Sequence, residues 1–252
     1  MEHAQHMALV AQNLTKHFNG APEPAVDNLN LAIRHGEIFG LLGPNGAGKT
    51  TTIWMLSTIL KPSSGAVTLC NIDSLRYPMK ARRLIGLVPQ DIALYPDLTA
   101  WENLTFFGRL LGLRGSNLNS RVSHALSAVG LEHKAHEKLA TYSGGMKRRT
   151  NLAAGILHVP LVLFLDEPTV GIDAQSRQLI LEMLLGMKAS GTTLVYTTHY
   201  MEEAEALCDR VAIMDRGRIL AQGTIPQVIA AHPPCSNLGE LFLQLTGKDL
   251  RD

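Results

Sequence analysis

Short apolar runs alternate along the chain with segments in which hydrophobic residues recur at helical spacing. The apolar runs predict strands at residues 38–42, 67–70, 85–88, 161–165, 194–197 and 211–214. Continuous apolar runs are typical of parallel strands buried on both faces, and the intervening helices would cover those faces. The pattern therefore predicts an α/β fold built on a mostly parallel sheet with flanking helices.

Two parts of the chain depart from this alternation. Leu29, Leu31 and Ile33 alternate with polar or small residues, and this period of two predicts a half-buried strand of a small antiparallel sheet. Residues 90–159 carry helical periodicity without a strand pattern, so we expect a helical subdomain there. The predicted division of the single domain is a nucleotide-binding core at 1–89 and 160–232, the helical subdomain at 90–159 and a helical tail at 233–252.

Local signals predict where individual helices begin and end. Thr99 and Glu102 fit a capping box that begins one helix. A second series of apolar residues at helical spacing ends before Gly130, which suits the position just after a helix. Beyond Pro233-Pro234, a final helix with one apolar face is predicted to dock on the body and to end at Gly247.

Composition and charge narrow the class of protein. The chain has 252 residues, 46% of them hydrophobic, which is enough for a substantial core. Its 23 basic and 22 acidic side chains leave a net charge of +1, so the overall charge gives no reason to expect binding to nucleic acid or to an anionic membrane surface. The three cysteines lie far apart, which favours a reducing compartment and argues against a disulfide framework or a zinc ribbon.

No membrane-spanning or targeting segment is expected. Residues 1–8 lack a basic stretch followed by a long apolar one, and no uninterrupted apolar stretch approaches the roughly 18 residues of a spanning helix. We therefore expect the chain to contact a membrane only through another protein.

A glycine-rich loop carries the clearest functional signal. Residues 43–50 fit G-x-x-x-x-G-K-[ST] and lie between the apolar run at 38–42 and a helix-like stretch at 51–60. Such a loop turns backbone N–H groups onto phosphate oxygens at a helix N-terminus, with Lys49 near the outer phosphates and Thr50 on Mg²⁺. The alternative is a glycine-rich loop without a ligand. The predicted nucleotide ligands are Gly43, Pro44, Asn45, Gly46, Ala47, Gly48, Lys49, Thr50 and Thr51.

Two acids follow a buried strand. Asp166 and Glu167 come after the apolar run at 161–165, and ligands of open α/β sheets lie at the carboxyl ends of such strands. We expect Asp166 to bind Mg²⁺ with Thr50, and Glu167 to act as the general base that activates water. Caps or turns would be the structural alternative for this acidic pair.

A second potential phosphate-binding helix start lies at Ser143, Gly144 and Gly145. Ser143 is a good N-cap, and the two glycines expose backbone N–H groups. Two phosphate-binding helix starts in one chain suggest that the second one grips a nucleotide held on another subunit. An ordinary capped helix is the alternative.

In the order of its motifs the chain resembles the ATPase subunit of an ATP-binding cassette (ABC) transporter, along essentially its whole length. The order is the phosphate loop, Gln90, the Ser143-Gly144-Gly145 signature, Asp166-Glu167, Asp173 and His199. The resemblance implies the P-loop ABC ATPase fold, with ATP and Mg²⁺ sandwiched head to tail between two subunits. It further implies that Gln90 links the metal and water to the helical subdomain, that Asp173 lies in the loop crossing the dimer interface, and that His199 contacts the γ-phosphate.

Other aromatic and histidine positions are weaker candidates. The resemblance implies that Phe18 stacks on adenine, whereas the alternative is a core aromatic of a hairpin. His133 and His136 form an H-x-x-H pair, but no further potential ligands accompany them, so we expect loop residues rather than a metal site. Mg²⁺ is the one metal predicted.

Departures around the signature suggest a branch of the family. Tyr142 and Met146 stand where Leu and Gln are frequent, and together with the sequences at 95–99 and 199–205 they resemble the branch serving drug, antibiotic and lipid exporters. That branch implies a second ATPase subunit, expected to be an identical copy, and a separately encoded transmembrane permease docked at residues 90–111. The chain would lie peripherally on the cytoplasmic face of the cell membrane.

Two other classes of function remain as alternatives. A soluble cassette ATPase acting on ribosomes or DNA would be expected to have two cassettes in one chain or a long coiled-coil insertion. A P-loop GTPase or small-molecule kinase should have an N-K-x-D motif or a substrate lid in place of the signature. The sequence has neither two cassettes nor a long coiled-coil insertion, and it carries the Ser143-Gly144-Gly145 signature that the GTPase or kinase class lacks.

Overall fold

The computed structural model describes residues 7–247. In chain order its strands are β1 (Met7–Lys16), β2 (Val26–Arg34), β3 (Ile38–Leu42), β4 (Ser64–Leu69), β5 (Ile72–Asp73), β6 (Ile85–Val88), β7 (Val162–Asp166), β8 (Thr193–Thr198), β9 (Arg210–Asp215) and β10 (Arg218–Thr224). Its α-helices are α1 (Lys49–Leu56), α2 (Pro78–Arg82), α3 (Ala100–Leu110), α4 (Gly115–Ala128), α5 (Gly144–Ile156), α6 (Ala174–Ala189), α7 (Met201–Leu207), α8 (Ile225–Ala230) and α9 (Leu238–Thr246). The expectations about a leader at 1–8 and about the last residues of the tail, 248–252, fall largely outside the described residues.

The larger sheet has the strand order β10-β9-β3-β8-β7-β6. From β9 to β6 all neighbours are parallel, and β10 alone pairs antiparallel, with β9 at one edge. Every residue of β3, β7 and β8 is buried, because helices cover one face and the smaller sheet packs together with α1 on the other. The predicted α/β class and mostly parallel sheet are confirmed.

The smaller sheet is antiparallel, with the order β2-β1-β4-β5. The period of two predicted a strand here, and β2 has the expected alternation, with Leu29, Leu31 and Ile33 buried. The run predicted at 67–70 belongs to this sheet as β4, which begins earlier, at Ser64. It ends at Leu69 because Cys70 adopts a positive φ of 46°.

Between β6 and β7 the described chain forms helices and turns. The predicted capping box begins α3: the Thr99 side chain accepts a hydrogen bond from the Glu102 N–H at 3.1 Å, and the Thr99 N–H donates to Glu102 at 2.9 Å. α4 ends at Ala128, two residues before Gly130, whose φ is 64°. The assignment of 90–159 as a separate subdomain remains a prediction.

The ends of helices α1 and α9 are both set by a residue with a positive φ. The helix expected at 51–60 is α1, which ends at Leu56 because Thr58 takes a φ of 65° that no α-helix accommodates. The tail helix α9 was predicted, and Gly247 follows it in the left-handed region with φ 60°. Leu238, Leu241 and Phe242 of α9 are buried against α7 and β9, so the tail docks on the body.

Candidate ATP-binding site

The loop after β3 has a backbone path that only glycine allows at two points. Gly46 and Gly48 have φ values of 80° and 101°, in the left-handed region. A Cβ on Gly48 would lie 2.5 Å from the Ala25 carbonyl oxygen, and a Cβ on Gly43 would lie 2.3 Å from the Met214 carbonyl oxygen. The glycines therefore let the loop pack tightly against the connection between β1 and β2 and against β9. The loop leads directly into α1, whose first N–H groups have no side-chain cap.

Lys49 begins α1 and lies buried under the loop. Its Nζ donates to the carbonyl oxygens of Gly43 at 2.8 Å and Pro44 at 3.2 Å, and lies 3.2 Å from Glu167 Oε1. A buried ammonium needs such partners, because water does not solvate it. Lys49 thus places a desolvated positive charge inside the curve of the loop, where it attracts phosphate oxygens strongly.

Asp166 ends β7 beside the loop and is 1% exposed. Its Oδ1 accepts a hydrogen bond from Thr197 Oγ1 at 2.8 Å, and the Thr50 hydroxyl is a second donor. Burial raises the pKa of the Asp166 carboxyl, and the two hydroxyl donors only partly offset that effect. A divalent cation beside it would stabilise the ionised form.

The donor set around Asp166 suits Mg²⁺. Within residues 7–247 no group of three or more His, Cys, Asp or Glu side chains could by itself hold a metal. Mg²⁺ is typically bound through one or two protein oxygens, waters and substrate phosphates rather than by a protein cage. Thr50 and Asp166 would hold the ion, which would neutralise phosphate charge when bound.

Glu167 connects the loop to the strand β8. Its Oε2 lies 3.3 Å from His199 Nδ1, and its backbone N–H donates to Thr197 Oγ1 at 2.9 Å. Its φ of 47° is unusual for a glutamate and is the kind of local strain found at functional sites. The carboxylate is therefore held between two basic side chains, Lys49 and His199, at the carboxyl edge of the sheet.

Seven of the nine phosphate-loop residues predicted to bind the nucleotide, residues 45–51, line one cavity. Gln90 and Glu167 line it from one side, and the phosphate loop lines it from the other. Gly43, Pro44 and Asp166 do not line the cavity, but Gly43 and Pro44 accept hydrogen bonds from Lys49, and Asp166 accepts one from Thr50. The full lining is Ala25, Asn45, Gly46, Ala47, Gly48, Lys49, Thr50, Thr51, Gln90 and Glu167.

The signature does not line this cavity. Ser143 caps α5 by accepting a hydrogen bond from the Met146 N–H at 3.2 Å. A Cβ on Gly145 would come within 2.0 Å of Ser176 Oγ, and Asp173 caps α6 by accepting from the Ser176 N–H at 2.9 Å. The glycine therefore lets α5 and α6 begin side by side. The signature of a chain packs on the Asp173 loop of that same chain.

The weaker candidates fall outside the cavity lining. Phe18 is 42% exposed in the turn after β1, with Lys16 Nζ 5.3 Å from its ring, so the alternative of a hairpin core aromatic is wrong. Its stacking on adenine remains a prediction. His133 lies in a short 3₁₀ turn, and the ring of His136 lies 5.7 Å from that of Trp101.

Sequence reasoning missed a buried carboxylate behind His199. Glu203 of α7 is 4% exposed, and its Oε2 accepts hydrogen bonds from three hydroxyls: Tyr196 at 2.6 Å, Thr169 at 2.9 Å and Thr198 at 3.0 Å. Its Oε1 lies 3.3 Å from Arg177 Nε. Burial and the nearby carboxylate raise the pKa of Tyr196 well above its usual range, so the phenol stays a donor. Through Thr169 and Thr198, Glu203 is hydrogen-bonded to the segment that follows Glu167 and to the segment that precedes His199.

We predict that Glu203→Gln lowers ATP turnover by about 10- to 100-fold, because an amide cannot accept from every donor and the His199 segment shifts. The KM for ATP should change little. In a double-mutant cycle with His199→Ala, the two effects should not add, since Glu203 would act through His199. Glu202→Gln, an exposed neighbour on α7, is the matched control. Additive effects would show that Glu203 only stabilises the fold.

A second overlooked residue is Arg148 of α5, which is buried. It donates to the Gln90 carbonyl oxygen and, through its other terminal nitrogen, to the Val170 carbonyl oxygen at 3.0 Å. Burial lowers the pKa of this guanidinium. The signature helix is thereby bonded to the Gln90 segment and to the loop that follows Glu167.

Comparison with known proteins identifies the family. The family model described as ABC transporter matches residues 26–170, more than half of the chain. The chain is 46% identical over 239 residues to the linearmycin resistance ATP-binding protein LnrL of Bacillus subtilis, covering 94% of this chain and 74% of that protein. It is 43% identical over 242 residues to the Nod factor export ATP-binding protein I of Ralstonia nicotianae, covering 96% of this chain and 73% of that protein.

A solved structure agrees with this assignment. It is a dimeric ATP-binding cassette in a post-hydrolysis state, bound to ADP and phosphate, with a TM-score of 0.78 and 28% identity over 86% of this chain and 98% of that one. The phosphate loop, the acids after β7 and the relatives agree on one assignment. The chain belongs to the ABC transporter family and is one of its ATP-binding and ATP-hydrolysing subunits.

Proposed function

We propose that this chain binds ATP with Mg²⁺, closes on a second copy of itself and hydrolyses the nucleotide to drive an exporter in the membrane. The observation that carries the proposal is the position of Glu167, whose carboxylate lies 3.2 Å from Lys49 and 3.3 Å from His199 beside the phosphate loop. The names of the similar resistance and export proteins support the direction of transport.

Hydrolysis needs a base, a metal and a sensor of the outer phosphate. Glu167 activates the attacking water, and Thr50, Asp166 and Gln90 would hold Mg²⁺. Lys49 turns from Glu167 to the outer phosphates when ATP enters, which frees the carboxylate. His199, on the other side of Glu167, contacts the γ-phosphate. These roles fit the burial of Lys49, Asp166 and Glu167, since a site that excludes water strengthens each charge interaction.

The partner subunit supplies the second phosphate-binding helix start. Ser143, Gly144 and Gly145 face the nucleotide of the other chain, and Asp173 lies at the interface between them. Two facts support this arrangement: the signature does not line the cavity of its own chain, and a similar cassette is a dimer. Phe18 stacks on adenine at the rim of the same site.

The membrane component is a separate permease that docks in an apolar groove. Within residues 7–247 no helix combines the length and apolar character needed to cross a bilayer. The groove runs along the outer edge of β6, between α3 and α5. Its lining includes Leu87, Phe107, Leu110 and Leu111, and Leu110 is 69% exposed. A helix from the permease would bury these side chains and hold the chain at the cytoplasmic face of the membrane.

We predict that Leu110→Asp breaks this docking without harming the ATPase, because Leu110 is largely exposed and its change leaves the core intact. The variant should lose most of the membrane protein that co-purifies with the wild type, while its ATP turnover in solution stays within about twofold. Leu185→Asp, on α6 and also exposed, is the matched control. Equal recovery of the membrane protein with both variants would place the docking site elsewhere.

The full proposal is tested by isolating the chain with its membrane partner and measuring ATP-dependent transport in vesicles. Export requires accumulation on the side away from the ATPase, and Glu167→Gln should abolish it. If the chain instead co-purifies with ribosomes or DNA and with no membrane protein, the alternative of a cassette ATPase with a non-transport target is the correct one.

A further inference from the structure

One short segment concentrates positive charge on a chain that is otherwise nearly balanced. Arg76, Lys80 and Arg83 flank or lie in α2, and all three are exposed. None of them forms an ion pair with a carboxylate within residues 7–247. The nearest acid in sequence, Asp73, accepts hydrogen bonds from two backbone N–H groups of the same turn. The three cations are therefore available to an external anion.

Exposed apolar side chains lie among these cations. Met79 is 66% exposed and Tyr77 is 42% exposed. The Arg76 guanidinium lies 5.3 Å and the Lys80 ammonium 5.0 Å from the centre of the Tyr77 ring. We call Arg76, Tyr77, Met79, Lys80 and Arg83 the basic patch. It combines charge with an aromatic ring and a flexible thioether, the mixture that suits the interface of a bilayer.

The fourth cation of the segment has a structural role instead. Arg82 donates from Nε to Thr58 Oγ1 at 3.0 Å and from a terminal nitrogen to the Thr58 carbonyl oxygen at 2.9 Å. These bonds fix α2 to the segment after α1. The basic patch is therefore presented on a rigid support and not on a loose loop.

We propose that the basic patch binds the anionic headgroups of phospholipids. The direction in which it faces rests on the proposed function: α2 ends three residues before Ile85, which with Leu87 lines the groove assigned to the permease. We take a chain docked there to hold the patch next to the membrane. The exposed Met79 between the cations favours a lipid surface over an acidic peptide.

The expected strength follows from the number of charges. Each lysine or arginine near an anionic surface strengthens binding by about fivefold, so three of them favour anionic over neutral vesicles by roughly 100-fold. The attraction should fall steeply with salt, because a surface charge is screened within about 10 Å at 0.1 M.

The test is sedimentation of the purified full chain with vesicles of phosphatidylcholine, with or without one third phosphatidylglycerol. We expect binding to the anionic vesicles alone, and its loss at high salt. Arg76→Gln/Lys80→Gln should weaken it by about 25-fold, whereas the control Arg34→Gln/Lys138→Gln, which removes two exposed cations elsewhere, should weaken it far less. Equal effects of both pairs, or equal binding to neutral vesicles, would overturn the proposal.

Two further measurements separate this proposal from the proposed function. ATP turnover of Arg76→Gln/Lys80→Gln in solution should match the wild type, which shows that the variant is folded. If wild-type chain ignores the vesicles but the variant loses its membrane protein on co-purification, the cations bind a protein and the lipid proposal is wrong. If the chain binds anionic vesicles but no membrane protein co-purifies, the lipid proposal stands and the exporter assignment fails.

Discussion

Replacing Glu167 with glutamine is expected to lower ATP turnover by about 10²- to 10⁴-fold while ATP still binds. The amide keeps the size of the side chain and one oxygen near Lys49, so the fold and the cavity should persist. It cannot take a proton from water. ATP that enters would then remain unhydrolysed, and the two chains should stay closed around it.

The measurement is the molecular mass of the variant in solution with ATP and Mg²⁺, together with its rate of phosphate release. We expect a stable dimer that retains ATP. Glu202→Gln makes the same chemical change at an exposed acid and should behave as the wild type. A monomer that hydrolyses ATP at the normal rate would remove Glu167 from the role of base.

Replacing Lys49 with alanine is expected to act one step earlier, on nucleotide binding itself. A charge-assisted hydrogen bond is worth about 1.5–3 kcal/mol, so affinity for ATP should fall roughly 10- to 150-fold. The change also leaves the Glu167 carboxylate without the cation 3.2 Å away, and that buried charge would repel the incoming phosphates.

Calorimetric titration with ATP and Mg²⁺ gives the affinity directly. Lys61→Ala, at an exposed lysine between α1 and β4, controls for the loss of one positive charge. Affinity for AMP should change much less than affinity for ATP, because AMP lacks the outer phosphates. An unchanged affinity for ATP would show that the loop binds phosphate without Lys49.

The strands that the sequence predicted best are those buried on both faces. β3, β7 and β8 each contain a short run of mostly apolar residues, and every residue of these strands is buried. β1 was missed because its pattern is interrupted: Asn13 takes a φ of 49° and the register with β2 shifts there. β10 was missed because it is an edge strand with mostly partial exposure, so its sequence carries little periodic signal.

The site was predicted where its residues are adjacent in sequence. The phosphate loop and the pair Asp166-Glu167 are local motifs, and the resemblance added Gln90 and His199. Glu203 could not be found in this way, because its partners Thr169 and Tyr196 come from other elements and only the fold brings them together. In sequence it is one acid among several at the start of a helix.

The net charge of the chain likewise gave no indication of the basic patch. Summed over all side chains, the charge is +1, and we expected no direct contact with an anionic surface. The proposal departs from that expectation, because Arg76, Lys80 and Arg83 have no carboxylate partner in the described residues. A total charge is an average, and binding depends on local density.

The buried guanidinium of Arg148 has a mechanical consequence. It donates hydrogen bonds from α5 to the carbonyl oxygens of Gln90 and Val170. These three segments must therefore move together, because separating them would break a buried hydrogen bond that water does not replace. Under the proposed function, a displacement of Gln90 by the permease would therefore be passed directly to α5, the helix that we propose binds the nucleotide of the neighbouring subunit. The Arg148 side chain would then couple movement of the permease to ATP hydrolysis.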